Sequence, residues 1–358
     1  MRVLLWMIAG GDRIPGGHRV QIDQTSRHLR ELGVDIHVSF DEMPSLGEFD
    51  LVHGFGLGPM EIRRCRRQGI VVALSTIYCS RDFYVGRHIP SNIFAEWQHR
   101  GRMGLVLFRS ALQGQHLDKC EAFVKRLQNM RVAYEMADLL LPNSEMEASN
   151  IKRELTVTTP YHVVPNAVDH KMFGFSLNEH SVRDHILYVG RFEPHKNQLG
   201  LIEAMRGSDI PVRIVGPPHP DHSAYYEHCK RRATKNITIQ PSVPHEELPS
   251  IYKKARVHVL PSWFETTGLV SLEAALCGCN IVTTERGYAR DYFQDMTWYC
   301  NPADPRSIRQ AVEAAFQAPY RSELHDRILK NYTWEHTARE TLEGYKKIRA
   351  RMPVPALG

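Results

Sequence analysis

The sequence has little of what marks a membrane span, a zinc site or a cross-linked secreted domain. No apolar run approaches the roughly 18 to 20 residues of a bilayer crossing. The first run, Val3–Ala9, leads straight into Gly10-Gly-Asp-Arg13, so a buried strand is expected there rather than a signal peptide. The seven cysteines, at 65, 79, 120, 229, 277, 279 and 300, form no CxxC pair, and their odd number points to reduced thiols and a cytoplasmic protein. His219-Pro-Asp-His222 with Cys229 lies in a Pro-rich stretch without zinc spacing. There is no DxD triplet, so an obligatory divalent ion held by such a pair is not indicated. No GxSxG elbow and no GxxxxGK[ST] loop occurs.

What is present is a globular composition. At 358 residues, with 42% hydrophobic and 24% charged residues, the chain exceeds what one core usually serves, and two domains are expected. The formal charge of +5 is mild, and nucleic acid is not an expected partner. The charge is unevenly spread, however: residues 61–131 hold 13 Lys/Arg against 5 Asp/Glu. Arg63, Arg64, Arg66 and Arg67 form one cluster, and Arg100, Arg102 and Arg109 flank the apolar run Met103–Phe108. Such a stretch suits either a solvated helix face or an anionic membrane surface.

Short apolar runs alternate with helical patterns. Strands are expected at residues 3–9, 34–38, 51–53, 70–74, 138–142 and 161–165, with a helix from about Val20 to Leu32 and a largely helical, basic stretch over 80–135. Residues 166–183 are polar and aperiodic, as a linker would be. The pattern then restarts with strands at 186–190, 212–216, 237–239, 257–260 and 280–284 and a helix near Asn197–Met205. Two successive α/β domains with parallel sheets follow, and their ligands should bind in loops beyond the carboxyl ends of the strands.

Two of those loops carry suitable chemistry. Gly190-Arg191-Phe-Glu-Pro-His-Lys196-Asn197 sets two cations between a strand and a helix N-terminus, which suits a diphosphate whose charge grows as it leaves. In Pro261-Ser-Trp-Phe-Glu265-Thr-Thr267-Gly268-Leu269-Val270-Ser-Leu-Glu273, Thr266 or Thr267 can cap a helix ending at Gly278. Glu265 then precedes the helix, Glu273 lies more than one turn inside it, and the free N–H groups around Gly268–Val270 face an anion. One carboxylate would accept hydrogen bonds from a sugar and the other from a ribose. As bland alternatives, the cations are solvated loop residues, Glu265 a helix-dipole partner and Glu273 an exposed helix residue. The loop Gly10-Gly-Asp-Arg-Ile-Pro-Gly16-Gly17 permits close backbone approach to a phosphate or an acceptor, or is an ordinary strand-to-helix turn.

Taken together, these segments resemble the family 4 (group 1) retaining glycosyltransferases of the GT-B fold. The resemblance runs through the Gly-Gly loop, Asp50-Leu-Val-His53, Ala137–Ser144, Val164-Pro-Asn-Ala-Val-Asp169, Gly190–Asn197, Pro241–Leu248, the Glu265 and Glu273 pair, and Tyr332-Thr-Trp-Glu335, in the family's order. It implies two Rossmann-like domains facing each other across a cleft. The acceptor-binding domain would span 1–168, joined by a C-terminal helix at about 337–358, and the donor-binding domain 169–336. Arg191 and Lys196 would stabilise the departing diphosphate, Glu265 would bind sugar hydroxyls, and Glu273 the ribose. Backbone near Val243 would meet the base, and Gly16 and Gly17 would close on the phosphates. Where the family carries Pro-Asn-Gly this chain has Ala167, and where a histidine commonly follows the fourth strand it has Tyr78, which with His53 would stand on the acceptor side.

The implied reaction moves a sugar from a nucleotide-diphosphate sugar to a glycan or lipid-linked acceptor, with retention, no cofactor and no metal. Polysaccharide or lipopolysaccharide biosynthesis and a place at the inner face of the membrane are the matching expectations. A nucleotide-sugar epimerase, a phosphorylase or a non-catalytic sugar-nucleotide-binding protein are the alternatives on the same architecture.

Overall fold

The computed structural model describes residues 1–8, 17–80, 117–174 and 183–351. Among these, the chain divides into two compact units. One comprises residues up to Pro165 together with those from Thr337; the other is Asn166–His336.

The first unit is built on five parallel strands: β1 (Arg2–Met7), β2 (Asp35–Ser39), β3 (Leu51–Phe55), β4 (Val71–Ser75) and β5 (Leu139–Leu141), in the order β2-β1-β3-β4-β5. Successive residues of a strand face opposite ways. Leu4, Trp6, Val52, Val72 and Leu140 therefore enter one core, and Val3, Leu5, Leu51, Ala73 and Leu139 the other. Both faces are covered, which is why the strands read as continuous apolar runs. Helices Gly17–Glu31, Pro59–Arg67, Leu117–Met136 and Glu145–Leu155 connect them. Ala338, Tyr345 and Ile348 of the last helix, Trp334–Arg351, are buried in the second of these cores. The stretch expected as a strand at 161–165 is not one. Tyr161 makes only an isolated bridge to Leu140, and the Pro160 carbonyl and the His162 and Val164 amides complete the edge of β5. Pro165 has no N–H to continue such a ladder.

The second unit has six parallel strands: β6 (His185–Val189), β7 (Val212–Val215), β8 (Ile237–Gln240), β9 (Ala255–Leu260), β10 (Asn280–Thr284) and β11 (Trp298–Cys300), in the order β11-β10-β9-β6-β7-β8. Leu187, Val189 and Ile281 pack into one core and Ile186, Tyr188, Val257 and Val282 into the other. From β6 the chain winds outward through β7 and β8, then returns to β6's other side as β9. That reversal opens a crevice at the carboxyl ends of β6 and β9, the place where doubly wound sheets bind ligands. Residues 166–168 go with this unit: the Asn166 amide donates to the Tyr292 hydroxyl at 3.0 Å, and Val168 bridges Thr333. Among the described residues no helix is long and apolar enough to cross a membrane.

Candidate functional site

The loops leaving β6 and β9 meet in the second unit. After β6, the chain turns at Gly190, over which Gly216 packs so closely that a Cβ there would stand 2.0 Å from the Gly190 carbonyl oxygen. A tight turn, Pro194–Lys196, leads into Asn197, whose φ of 57° is left-handed, and then into the helix Gln198–Ala204. Asn197 is the stitch between loops: its Nδ2 donates to the carbonyls of Pro261 at 3.0 Å and Pro302 at 2.9 Å. The Trp263 amide also donates to the His195 carbonyl at 2.9 Å. This backbone lacing holds Lys196 beside the loop after β9.

There, Lys196 Nζ donates to Glu265 Oε1 at 2.7 Å. The Glu265 side chain is 6% exposed and that of Lys196 24%. Burial alone would raise the Glu265 carboxyl; the charges of Lys196 and His195 override it and hold the group below the usual carboxylate value. The backbone of Glu265 is clasped as well, its N–H donating to the Arg286 carbonyl at 3.2 Å and its carbonyl accepting from the Tyr288 amide at 2.8 Å. Arg191 lies on the same loop as Lys196 but pairs with Glu193, Nη2 to Oε1 at 3.4 Å. Its Nε is buried without a hydrogen-bond partner among the described residues.

The helix after Glu265 runs Leu269–Leu276, and its cap differs from the expectation. Gly268, with φ of 76°, is the N-cap and has no side chain with which to cap the first turn. Thr267 is turned away to accept from Asn166 Nδ2 at 3.0 Å, so neither threonine is the cap. Leu269 and Val270 are half-buried in the opening turn. Glu273, five residues in, is pinned rather than free: Tyr252 Oη donates to Oε2 at 3.0 Å, and His245 Nε2 lies 3.4 Å from Oε1. That contact with Glu273 raises the His245 pKa. Val243 packs against the core just before the turn His245–Glu247.

Residues 174–333 match the model of the glycosyl transferases group 1. The second unit is thus similar to the group 1 glycosyl transferases along almost its whole length. The GPI3 subunit of phosphatidylinositol N-acetylglucosaminyltransferase from Saccharomyces cerevisiae is 28% identical over 216 residues, covering 52% of this chain and 45% of that protein. The chain thus spans about half the length of the curated relatives it matches first. Sucrose-phosphate synthase from Thermosynechococcus elongatus superposes with a TM-score of 0.74 over 98% of this chain and 100% of that one, at 17% identity. HepE from Anabaena, solved in complex with UDP, gives 0.70 over 97% and 100%, at 14% identity. These likenesses show the fold: two Rossmann-like units of GT-B type.

The second unit accordingly brings Lys196 together with Glu265, with Gly190 and Arg191 on the same loop as Lys196, and Glu273 together with the turn after β8. The acceptor-side candidates of the first unit sit differently. His53 is buried in β3, with Nδ1 2.7 Å from Tyr345 Oη and Nε2 2.8 Å from Ser75 Oγ. Burial lowers its pKa to about 3, so it is a neutral tie between the sheet and the last helix. Tyr78 is fully buried; its hydroxyl donates to Glu154 Oε2 at 2.7 Å and its amide to Glu147 Oε1 at 2.8 Å. Gly17 opens the helix Gly17–Glu31, whereas Gly16 and the rest of the Gly-Gly loop lie outside the described residues. So do residues 81–116, which include Arg100, Arg102, Arg109 and Met103–Phe108. No role follows from the sequence for Asn197, His245, Tyr252 or Gly287. Asn197 and His245 were visible inside the resembling segments. Tyr252 and Gly287 act across 21 and 22 positions of chain, which no local pattern marks.

Proposed function

We propose that the chain is a retaining, metal-independent glycosyltransferase that moves a sugar from a nucleotide-diphosphate sugar to a glycan or lipid-linked acceptor. The observation that carries this is the Lys196–Glu265 ion pair at the carboxyl ends of β6 and β9. It puts a cation for a leaving diphosphate and a fixed carboxylate for sugar hydroxyls in one place. Arg191 adds a second cation on the same loop. The uncapped first turn at Gly268, Leu269 and Val270 offers N–H groups to a phosphate. Glu273, held by Tyr252 and His245, suits a ribose, and Val243 the edge of a base.

In this reading the donor's C1–O bond breaks as the diphosphate leaves. The departing oxygen takes the acceptor's hydroxyl proton, and the acceptor oxygen bonds to C1 on the same face. No protein nucleophile is required; positioning and charge stabilisation supply the rate. On the acceptor side, Arg63, Arg66 and Arg67 of the helix Pro59–Arg67 are exposed, as are Lys125 and Arg126 of Leu117–Met136. Their charge supports a lipid-linked acceptor met at an anionic, cytoplasmic membrane face.

The test is nucleoside diphosphate release from a panel of UDP-, GDP- and ADP-hexoses with lipid-linked and glycan acceptors. Lys196→Ala and Arg191→Ala should each lower turnover by about 10²-fold or more, as removing an oxyanion donor does. Unchanged turnover in either variant would remove that residue from the reaction. NMR of the product should show the donor's anomeric configuration kept; inversion would overturn the retaining mechanism. Epimerised sugar formed from donor alone would favour the epimerase reading.

A further inference from the structure

The second unit also holds a device behind its Glu265 carboxylate. Gly287 follows β10, and the short segment Arg286–Tyr288 lies alongside Glu265 as an isolated parallel bridge. The contact is backbone on backbone. The Arg286 carbonyl accepts from the Glu265 N–H at 3.2 Å, and the Tyr288 N–H donates to the Glu265 carbonyl at 2.8 Å. Between them, Gly287 has φ of 108°. A Cβ there would stand 2.1 Å from the Glu265 carbonyl oxygen and 2.8 Å from its nitrogen. No side-chain rotation relieves such a clash, because both partners are backbone.

The turn is itself anchored. The Arg286 amide donates to Thr284 Oγ1 at 3.1 Å, and Arg286 Nη2 donates to Asn301 Oδ1 at 3.2 Å. The Arg286 guanidinium lies 5.5 Å from the Trp263 ring centre. Tyr288 is fully buried and packs edge-on to Phe264 with ring centres 5.2 Å apart. Trp263 and Phe264 immediately precede Glu265, so the clasp grips the segment by its backbone and by both side chains before the carboxylate.

We infer that Gly287 is a positioning residue for the reaction: the absence of a side chain there sets where the Glu265 carboxylate stands against Lys196, and so how the donor's sugar is held. The inference rests on the role proposed above for Glu265. A side chain at 287 pushes the Glu265 backbone away and opens the pair with Lys196. The nucleotide half of the donor, met by Glu273 and the turn after β8, is left as it was.

The experiment is made on the full chain. A crystal structure of Gly287→Ala should show Glu265 displaced and the 2.7 Å Lys196–Glu265 contact opened; an unchanged contact overturns the inference. Binding of UDP, GDP and ADP and of their hexose conjugates is measured in parallel for the wild type, Gly287→Ala and Glu265→Gln. Gly287→Ala should keep nucleoside diphosphate affinity within about 2-fold and lose sugar-nucleotide affinity or turnover by about 10-fold or more. A parallel loss of both overturns it, since general damage to the fold does that. Arg286→Ala, which loosens the turn without a clash, should show the same selective loss at smaller size, and covers the case in which the alanine variant does not fold. If Glu265→Gln matches the wild type, the proposed function of the site has failed. If Glu265→Gln is impaired while Gly287→Ala and Arg286→Ala are not, only the positioning role has failed.

Discussion

At the residue scale, Lys196 and Glu265 illustrate why a buried ion pair belongs to a site rather than to a stability argument. Removing both charges from water costs nearly as much as their attraction returns. Breaking the pair is another matter, because it leaves Glu265 buried and uncompensated. Lys196→Ala should therefore destabilise the chain by about 3 kcal/mol in urea denaturation at pH 7. The pH dependence follows from the lowered carboxyl. A group whose folded pKa is depressed contributes stability above its unfolded value, about 4.3 for a glutamate, and that contribution is lost as pH falls. The gap between wild type and variant should thus be full at neutral pH and close on acidification below about 4. A gap that persists at low pH would show that the lost packing of the lysine stem, not its charge, was responsible.

At the scale of elements, the loop from β6 to the helix Gln198–Ala204 owes its shape to Asn197. Its left-handed backbone would cost an alanine roughly 1 to 2 kcal/mol, and the Pro261 and Pro302 carbonyls would each lose their donor. Asn197→Ala should destabilise the chain by about 2 to 4 kcal/mol in a urea titration. Turnover should fall as well, since the same stitch carries Lys196. Unaltered stability would mean that water replaces both bonds without cost.

Elements also show what was legible in the sequence. The strands of the second unit stood out because both faces of that sheet are covered and the runs are apolar throughout, as in Ile186–Val189 and Val257–Leu260. The three-residue β11, with only Cys300 fully buried, gave no such run. The edge at 161–165 looked like a strand because Tyr-His-Val-Val is a short run of aromatic and β-branched residues, but Pro165 and its position outside β5 leave it a bridge. The threonines before Gly268 had the chemistry of a cap, yet Asn166, 101 positions away, takes the Thr267 hydroxyl. Lys196, Glu265 and Glu273 could be picked out by residue type and spacing. Tyr252 and Gly287, which hold Glu273 and Glu265, could not, because each lies on another crossover of the sheet than the residue it holds.

At the scale of the whole molecule, each unit carries a buried neutral histidine in its sheet: His53 in β3 and His258 in β9, both fully buried with pKa lowered by burial to about 3. The sign is set by the unfolded chain, where histidine titrates near 6.5. Between that value and about 3 the unfolded state binds more protons, so stability should fall steadily on acidification below pH 6.5. Nitrogen-15 NMR should find both rings neutral in the folded protein at pH 5. A protonated ring at that pH would contradict the burial seen here.

On the proposed function, the second unit holds a nucleotide sugar at the switch between β6 and β9 through Lys196 and Glu265. A ligand that binds only the folded chain raises its melting temperature by mass action. The decisive measurement is therefore the melting temperature of wild type and Lys196→Ala across UDP-, GDP- and ADP-sugars. At least one donor should clearly raise the melting temperature of the wild type, and the rise should be lost in the variant. No rise with any donor, or an equal rise in both proteins, would contradict it.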